Sequence, residues 1–294
     1  MKNKPDNNIS VSVGMPVFNE ASHIREAILS IVLQAEEIIL SDNASTDGTS
    51  DICQELAKQH KNIQYIKHKK NIGAKKNWNI CLEKASHDFF MWLSGHDKVS
   101  ENYVENLIES LSQNHDAVLA FGKAVHIDNT GSLLYEYDYS YSMHLTSTSA
   151  YKRVYSIIKY LDDCSMFHGI YKKHVLRSAL TNVEPCIGID HVYLAKMAVN
   201  GPFIYRPDTN FYRRDVHEEE LIDDNLRIQR QAKMIQVSHK NVANPYQLMA
   251  EQQLAIIRKI SGNVFVKMIY IWKSRWILKK RFDFVDSNTC SGIS

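Results

Sequence analysis

Carboxylates, amides and hydroxyls gather in four short clusters along residues 11–97. They are Met15-Pro16-Val17-Phe18-Asn19-Glu20, Ser41-Asp42-Asn43-Ala44-Ser45-Thr46-Asp47-Gly48-Thr49, Asn71-Ile72-Gly73, and Trp92-Leu93-Ser94-Gly95-His96-Asp97. Each cluster follows an apolar run and precedes a helical pattern. In an open α/β sheet, groups at the carboxyl ends of successive strands converge on one crevice, where ligands bind. Lys75, Lys76 and Asn77 follow the third cluster. Lysines at the start of a helix, with the helix dipole behind them, suit a diphosphate; an exposed basic face is the alternative reading. Further along, Asp190 in Gly188-Ile189-Asp190-His191 precedes a helical stripe (Val192, Ala195, Met197, Ala198), where a helix-capping role is the plain reading.

These clusters need strands to carry them. Residues 9–17 alternate and then run apolar, a strand stopped by Pro16. Residues 37–40, 63–66, 89–93 and 117–125 read as four more strands, and stripes at helical spacing cover 21–33, 52–57, 78–85 and 103–111. Strands alternating with helices of that length predict an α/β fold with a mostly parallel sheet covered on both faces and right-handed crossovers. After Gly131 the rhythm changes. A Tyr-rich segment (133–141) and a polar loop (142–149) precede a helix over 154–161, a strand over 164–171 and a helix over 189–199. A short strand over 203–205 is closed by Pro207, and from Asp215 onward the pattern is helical.

Bulk composition narrows the class. At 294 residues, 44% hydrophobic and 23% charged, the chain has room for one large globular α/β domain and an appendage. A formal charge of +2 is too small to argue for a nucleic-acid partner. Cys53, Cys81, Cys164, Cys186 and Cys290 are scattered, with no C-x-x-C pair, which speaks against a zinc site or a disulfide framework and fits a reducing cytoplasm. The first ten residues lack the apolar core of a signal peptide, and no stretch reaches the ~20 continuous apolar residues of a membrane span. A cytoplasmic location is the expectation. No G-x-G-x-x-G follows the first strand and no G-x-x-x-x-G-K-[ST] occurs, against a dinucleotide oxidoreductase and a P-loop NTPase. An EF-hand is excluded because, counting from Asp42, Gly48 falls at position 7 and Cys53 at position 12.

The order of the four clusters resembles the nucleotide-sugar half of a family 2 glycosyltransferase with the GT-A fold, over roughly residues 9–215. Pro16, Phe18 and Glu20 match the family's P-x-[YF]-N-[ED] opening, whose groups touch the nucleoside. The resemblance makes Asp42 the carboxylate that accepts a base N–H, with a turn residue as the alternative, and makes Asn71, Gly73 and Lys76 part of the donor site through an N-x-G segment. Ser94-Gly95-His96-Asp97 stands where the family has D-x-D, so that Asp97 becomes the ligand of Mg²⁺ or Mn²⁺, and His96, replacing an Asp, favours Mn²⁺ if it ligates. At the later stage of the chain where the family keeps its general base stands Asp190, which implies an inverting reaction. Met166-Phe167-His168-Gly169-Ile170-Tyr171-Lys172-Lys173 is similar to the family's acceptor-side strand, and His168 and His191 are the acceptor-side histidines; a satisfied core residue is the alternative for His168.

The implied organisation is a disordered segment (1–8), a GT-A domain over 9–214 with a donor half (9–127) and an acceptor half (128–214), and a helical region over 215–294. In that last region Val264, Phe265, Met268, Ile269, Trp272 and Trp276 share one helical face, with Lys267, Lys273, Arg275, Lys279, Lys280 and Arg281 mostly elsewhere. Such a helix suits the surface of an anionic membrane over 264–281; packing on the domain or in a homodimer is the alternative. The partners implied are a nucleoside-diphosphate sugar, UDP-linked first of all, and a saccharide or lipid-linked acceptor of bacterial polysaccharide assembly. The thinned D-x-D motivates the rival reading, a catalytically silent nucleotide-sugar-binding scaffold.

Overall fold

The computed structural model describes residues 10–216, 224–235 and 244–285; the segment 1–8, expected to be disordered, lies outside these residues. The chain runs β1 (Val11–Val17), α1 (Ile24–Ile31), β2 (Glu37–Asp42), α2 (Thr49–Gln59), β3 (Ile63–Lys67), α3 (Ala74–Lys84), β4 (Phe89–Trp92), β5 (Lys98–Val99), α4 (Tyr103–Gln113), β6 (Leu119–Ile127) and β7 (Leu133–Glu136). It continues with α5 (Ala150–Tyr160), β8 (Ile170–Lys172), α6 (Lys173–Leu180), α7 (Ile189–Asn200), β9 (Phe203–Arg214), α8 (Asp224–Ile235), α9 (Gln247–Lys259) and α10 (Val264–Phe282).

The strands form one sheet in the order β3-β2-β1-β4-β8-β6-β9-β5, with β7 pairing off β6. The β3-β2-β1-β4 portion is wholly parallel. Its central strand, β1, is buried on both faces, as its near-continuous apolar run requires. Strand β8 joins β4 and β6 antiparallel, while β6 and β9 are again parallel. Trp92 at the end of β4 stacks on Phe167 with centroids 5.1 Å apart, and Phe90 and Tyr171 meet Trp92 edge-on. This aromatic plug fastens the two portions of the sheet together.

Two sequence expectations need correction. The strand expected over 164–171 is a 3₁₀ turn, Ser165–His168, followed by the three-residue β8. Asp163 accepts the Ser165 N–H at 2.8 Å and so starts the turn, and at Gly169 a Cβ would lie 2.3 Å from the Ala120 carbonyl oxygen. The strand expected to close at Pro207 continues to Arg214. The pairing with β6 jumps from Gly122↔Arg206 to Lys123↔Asn210, so Pro207 falls in a bulge that needs no N–H from it. Gly122 permits the bulge, since a Cβ there would meet the Thr209 carbonyl oxygen at 2.4 Å.

Helices α9 and α10 pack on the sheet domain through α5 and α7, and α8 packs on α3. Helix α10 buries Ser274, Ile277 and Leu278, and Tyr270 stacks on Tyr151 at 5.6 Å.

Candidate active site

The loops after β1 and β2 are zipped together. Asn19, in the left-handed region (φ 56°), donates its N–H to Ser45 Oγ (3.0 Å) and accepts the Thr46 N–H (3.0 Å). Glu20 N–H donates to Thr49 Oγ1 at 2.7 Å. Pro16 lies opposite Ser41 in the sheet, and Phe18 projects its ring into solvent. Asp42 sits behind the crevice rather than on its surface, at 0% exposure. Its Oδ1 accepts the Ser45 N–H at 2.8 Å, and Oδ2 accepts Ser50 Oγ at 2.5 Å and the Tyr65 hydroxyl at 2.8 Å. Burial raises the pKa of this carboxyl, but these hydrogen bonds outweigh it and hold Asp42 ionised below its ordinary range. In front of it, Ala44, Ser45 and Thr46 face Lys67, His68 and Lys69 across a cleft of about 440 Å³.

Asn71 and Gly73 are held to the same edge. Asn43 Nδ2 donates to Asn71 Oδ1 (3.0 Å), and Asn43 Oδ1 accepts the Ile72 N–H (2.8 Å). Gly73 precedes α3 at φ 86°, a turn that favours glycine, and leaves Lys75 and Lys76 exposed on the first turn. Lys75 is near enough to Cys186 for its charge to act on that thiol, so the start of α3 faces the loop that leads into α7.

Ser94-Gly95-His96-Asp97 folds onto the end of β1. A Cβ on Gly95 would stand 2.8 Å from Glu20 Cγ, so the close approach needs glycine. It brings His96 Nδ1 to within 3.0 Å of Glu20 Oε1 and leaves Nε2 3.9 Å from Asp97 Oδ1. Burial works against charge on His96, but Asp97 and Glu20 prevail and raise its pKa. Asp97, 3% exposed, accepts the Arg214 N–H at 2.8 Å. A carboxylate is a ligand that Mg²⁺ or Mn²⁺ accepts when phosphate and water complete the shell, and the imidazole beside it would add a nitrogen that favours Mn²⁺ only in its neutral form. Among the described residues, the one cluster of three ligating side chains within 4.8 Å of each other is elsewhere, at Cys164, Asp190 and His191.

Asp190 stands in the first turn of α7. Gly188 makes the turn possible at φ 74°, where any Cβ would also press on Met249 Sδ at 2.5 Å. One carboxylate oxygen accepts the His191 N–H at 3.1 Å, and the Cys164 sulfur lies within 4.8 Å of the same carboxylate. Burial, then Asp190, keeps that thiol protonated. His168 donates from Nδ1 to the Trp92 carbonyl (3.1 Å), stacks on Phe211 at 4.8 Å, and is held neutral chiefly by burial. His191 has a buried Nδ1 without a hydrogen-bond partner, and burial lowers its pKa.

Sequence reasoning missed the group that stands between these sides. Arg213, at the end of β9, donates from Nη1 to Asp163 Oδ2 (2.7 Å), and its Nε lies 3.7 Å from Asp215 Oδ1. Asp163, Asp97, Asp215 and Cys164 all strengthen its charge against the opposing effect of burial, and its field is felt at His96 and His168. Behind it His126 is clamped between Asp215 (2.9 Å) and Asp163 (3.2 Å). The signal was the Arg213-Arg214-Asp215 run, legible only if the strand passes Pro207.

The glycosyl transferase family 2 model matches residues 12–177, more than half of the chain. The chain belongs to that family. It is 26% identical to glycosyltransferase GlyA of Streptococcus pneumoniae serotype 4 over 171 residues, 57% of this chain and 22% of GlyA. It is 31% identical over 106 residues to the putative teichuronic acid biosynthesis glycosyltransferase TuaG of Bacillus subtilis, 35% of this chain and 42% of TuaG. The chain thus spans less than half the length of these curated relatives. In structure it is similar to residues 1–349 of S. aureus TarS in complex with UDP-GlcNAc, with TM-score 0.65 and 16% identity over 93% of this chain and 73% of that one. The α/β sheet with flanking helices is therefore the GT-A architecture expected of this glycosyltransferase family.

Proposed function

We propose that this glycosyltransferase moves a sugar from a nucleoside-diphosphate donor, a UDP-sugar first of all, to a hydroxyl of a saccharide or lipid-linked acceptor, with inversion. The observation that carries this reading is a juxtaposition. The Arg213 guanidinium is within electrostatic reach both of Asp97, beside His96, and of Cys164, whose sulfur lies within 4.8 Å of Asp190. The UDP-GlcNAc bound to TarS supports the uridine nucleotide, and the description of TuaG as a putative teichuronic acid biosynthesis glycosyltransferase supports a bacterial surface polysaccharide as the setting. On this reading 9–127 form the donor half of the domain, 128–214 the acceptor half, and 215–294 a helical extension.

Asp190 accepts the proton of the acceptor hydroxyl as its oxygen bonds to the anomeric carbon; the bond from that carbon to the diphosphate breaks on the opposite face and the nucleotide leaves. The Cys164 thiol, protonated, orients the Asp190 carboxylate. Arg213 and His96 offset charge on the departing phosphate, and Lys75 and Lys76 add positive charge at the rim. Asp97 would hold Mg²⁺ or Mn²⁺, which when bound would neutralise the diphosphate. Pro16, Phe18, Glu20, Asn71, Gly73 and Lys76 shape the donor crevice, and Asp42 braces its wall; His168 and His191 line the acceptor side. The test is Asp190→Asn, measured as sugar transfer and as UDP affinity. Transfer falls by about 10²–10⁴ with affinity kept; near-wild-type transfer would remove Asp190 as the base.

No helix among the described residues is long and apolar enough to cross a membrane. Helix α10 nevertheless leaves Phe265, Met268, Ile269, Trp272 and Trp276 more than half exposed along one face. Its 19 residues carry six lysines and arginines and no acid. Aromatic and aliphatic side chains flanked by cations fit the headgroup region of an anionic bilayer, which would keep the enzyme on the cytoplasmic face beside lipid-linked acceptors. Replacing Phe265, Trp272 and Trp276 by Ser lowers binding to phosphatidylglycerol vesicles; unchanged binding would favour a homodimer or another protein surface.

A further inference from the structure

A second cleft opens on the acceptor side, about 360 Å³ in volume, between the residues after β7 and the end of α5. Its wall is aromatic. Tyr141 and Tyr160 stack with centroids 5.5 Å apart and planes 21° apart, and His144 stacks on Tyr160 at 5.9 Å and 15°. Around these rings stand Asp138, Lys159 and Asp162, with Lys159 Nζ on the Tyr160 hydroxyl at 2.7 Å. The charges balance locally, because Asp162 also pairs with Arg281.

One group in this wall has an unmet demand. Tyr141 is 8% exposed, and its hydroxyl is buried with no hydrogen-bond partner. A buried hydroxyl left unpaired is destabilising, so this one can gain from a ligand that supplies the bond. That hydroxyl is within electrostatic reach of Tyr137, Cys164, Asp163 and Asp162. Cys164 Sγ in turn lies within 4.8 Å of the Asp190 carboxylate, and the field of Asp162 reaches His191. The cleft and the base therefore adjoin through the segment 162–164.

The chemistry of the wall selects a ligand class. A pyranose has C–H faces that lie on aromatic rings and a rim of hydroxyls that seek carboxylate, ammonium and phenol partners. A phosphorylated ligand would meet Asp138 and Asp162 as well as Lys159. We propose that the Tyr137–Tyr141–Tyr160 cleft is a saccharide subsite that seats a sugar unit of the acceptor next to the one presented to Asp190. This rests on Asp190 being the base, and it makes the acceptor at least a disaccharide.

The test is saturation-transfer NMR on the full chain with UDP and, in turn, cellobiose, maltose, lactose and N,N′-diacetylchitobiose. At least one disaccharide receives saturation at its ring C–H protons in the wild type. Tyr160→Ala and, separately, Lys159→Ala reduce that signal at least fivefold while UDP saturation stays within twofold. Disaccharide signals equal to wild type in both variants would overturn the proposal, as would UDP saturation without any disaccharide signal in the wild type. Loss of UDP saturation in the wild type with disaccharide signals intact and sensitive to Tyr160→Ala would overturn the donor reading while leaving the subsite standing.

Discussion

The two sides of the crevice are built by different rules. On the donor side the contributing side chains lie at or just beyond the ends of parallel strands, up to the first turn of α3, and the loops are joined by hydrogen bonds such as Asn19–Ser45 and Asn43–Asn71. On the acceptor side the working groups come from β6, the 3₁₀ turn, α7 and β9, and an ionic lattice of buried His126, Asp163 and Asp215, closed by the partly exposed Arg213, holds them. The first side is a property of strand order. The second depends on charges that would be costly to bury singly and are tolerable only together.

The largest effect is expected where the two sides meet. Arg213→Ala removes the shared guanidinium, and kcat/KM for transfer falls by about 10²-fold, the size of a lost electrostatic donor. Arg213→Lys restores only part of it, because an ammonium cannot span Asp163 and Asp215 as the guanidinium does. Steady-state kinetics with saturating donor check this; a variant that loses stability but keeps kcat would confine Arg213 to the lattice. Next is Gly188→Ala, which forces a side chain into φ 74° and onto Met249. It lowers unfolding free energy by about 1–3 kcal/mol in urea titration and reduces transfer by misplacing Asp190, with UDP binding untouched.

The smallest effect separates the sides by pH. Burial opposes charge on His126, but Asp163 and Asp215 raise its pKa above the ordinary 6.5. A raised folded-state pKa gives stability that is fully present below pH 6.5 and lost as pH climbs through the folded value. The difference in denaturation midpoint between wild type and His126→Gln is therefore larger at pH 6 than at pH 9. A gap independent of pH would mean His126 is neutral in the lattice.

The same contrast explains what could be read from the chain alone. Strands β1 to β4, their helices and the clusters after them were legible because apolar period and polar turn residues alternate locally. Asp190 was legible beside Gly188, a turn residue before a helical stripe. Arg213 and Asp215 were not, because Pro207 reads as a strand end and nothing local announces a bulge opposite Gly122. Asp163 and Cys164 were hidden for a related reason. A run of Met166, Phe167, Ile170 and Tyr171 looks extended until the Asp163 cap and Gly169 bend it into a turn. Asp42 was visible as a residue, but its burial behind Ser45, Ser50 and Tyr65 depends on three separate segments.

The central claim is that the donor side still binds a nucleoside diphosphate although Asp97 is the carboxylate left in Ser94-Gly95-His96-Asp97. Calorimetric titration of UDP, GDP, CDP and TDP into wild type and Asp97→Ala, with Mn²⁺, Mg²⁺ or EDTA, tests it directly. The account predicts UDP binding in preference to the others, strengthened by metal in the wild type and not in Asp97→Ala. Absence of binding by all four nucleotides under every condition would contradict it and leave the chain without a donor site.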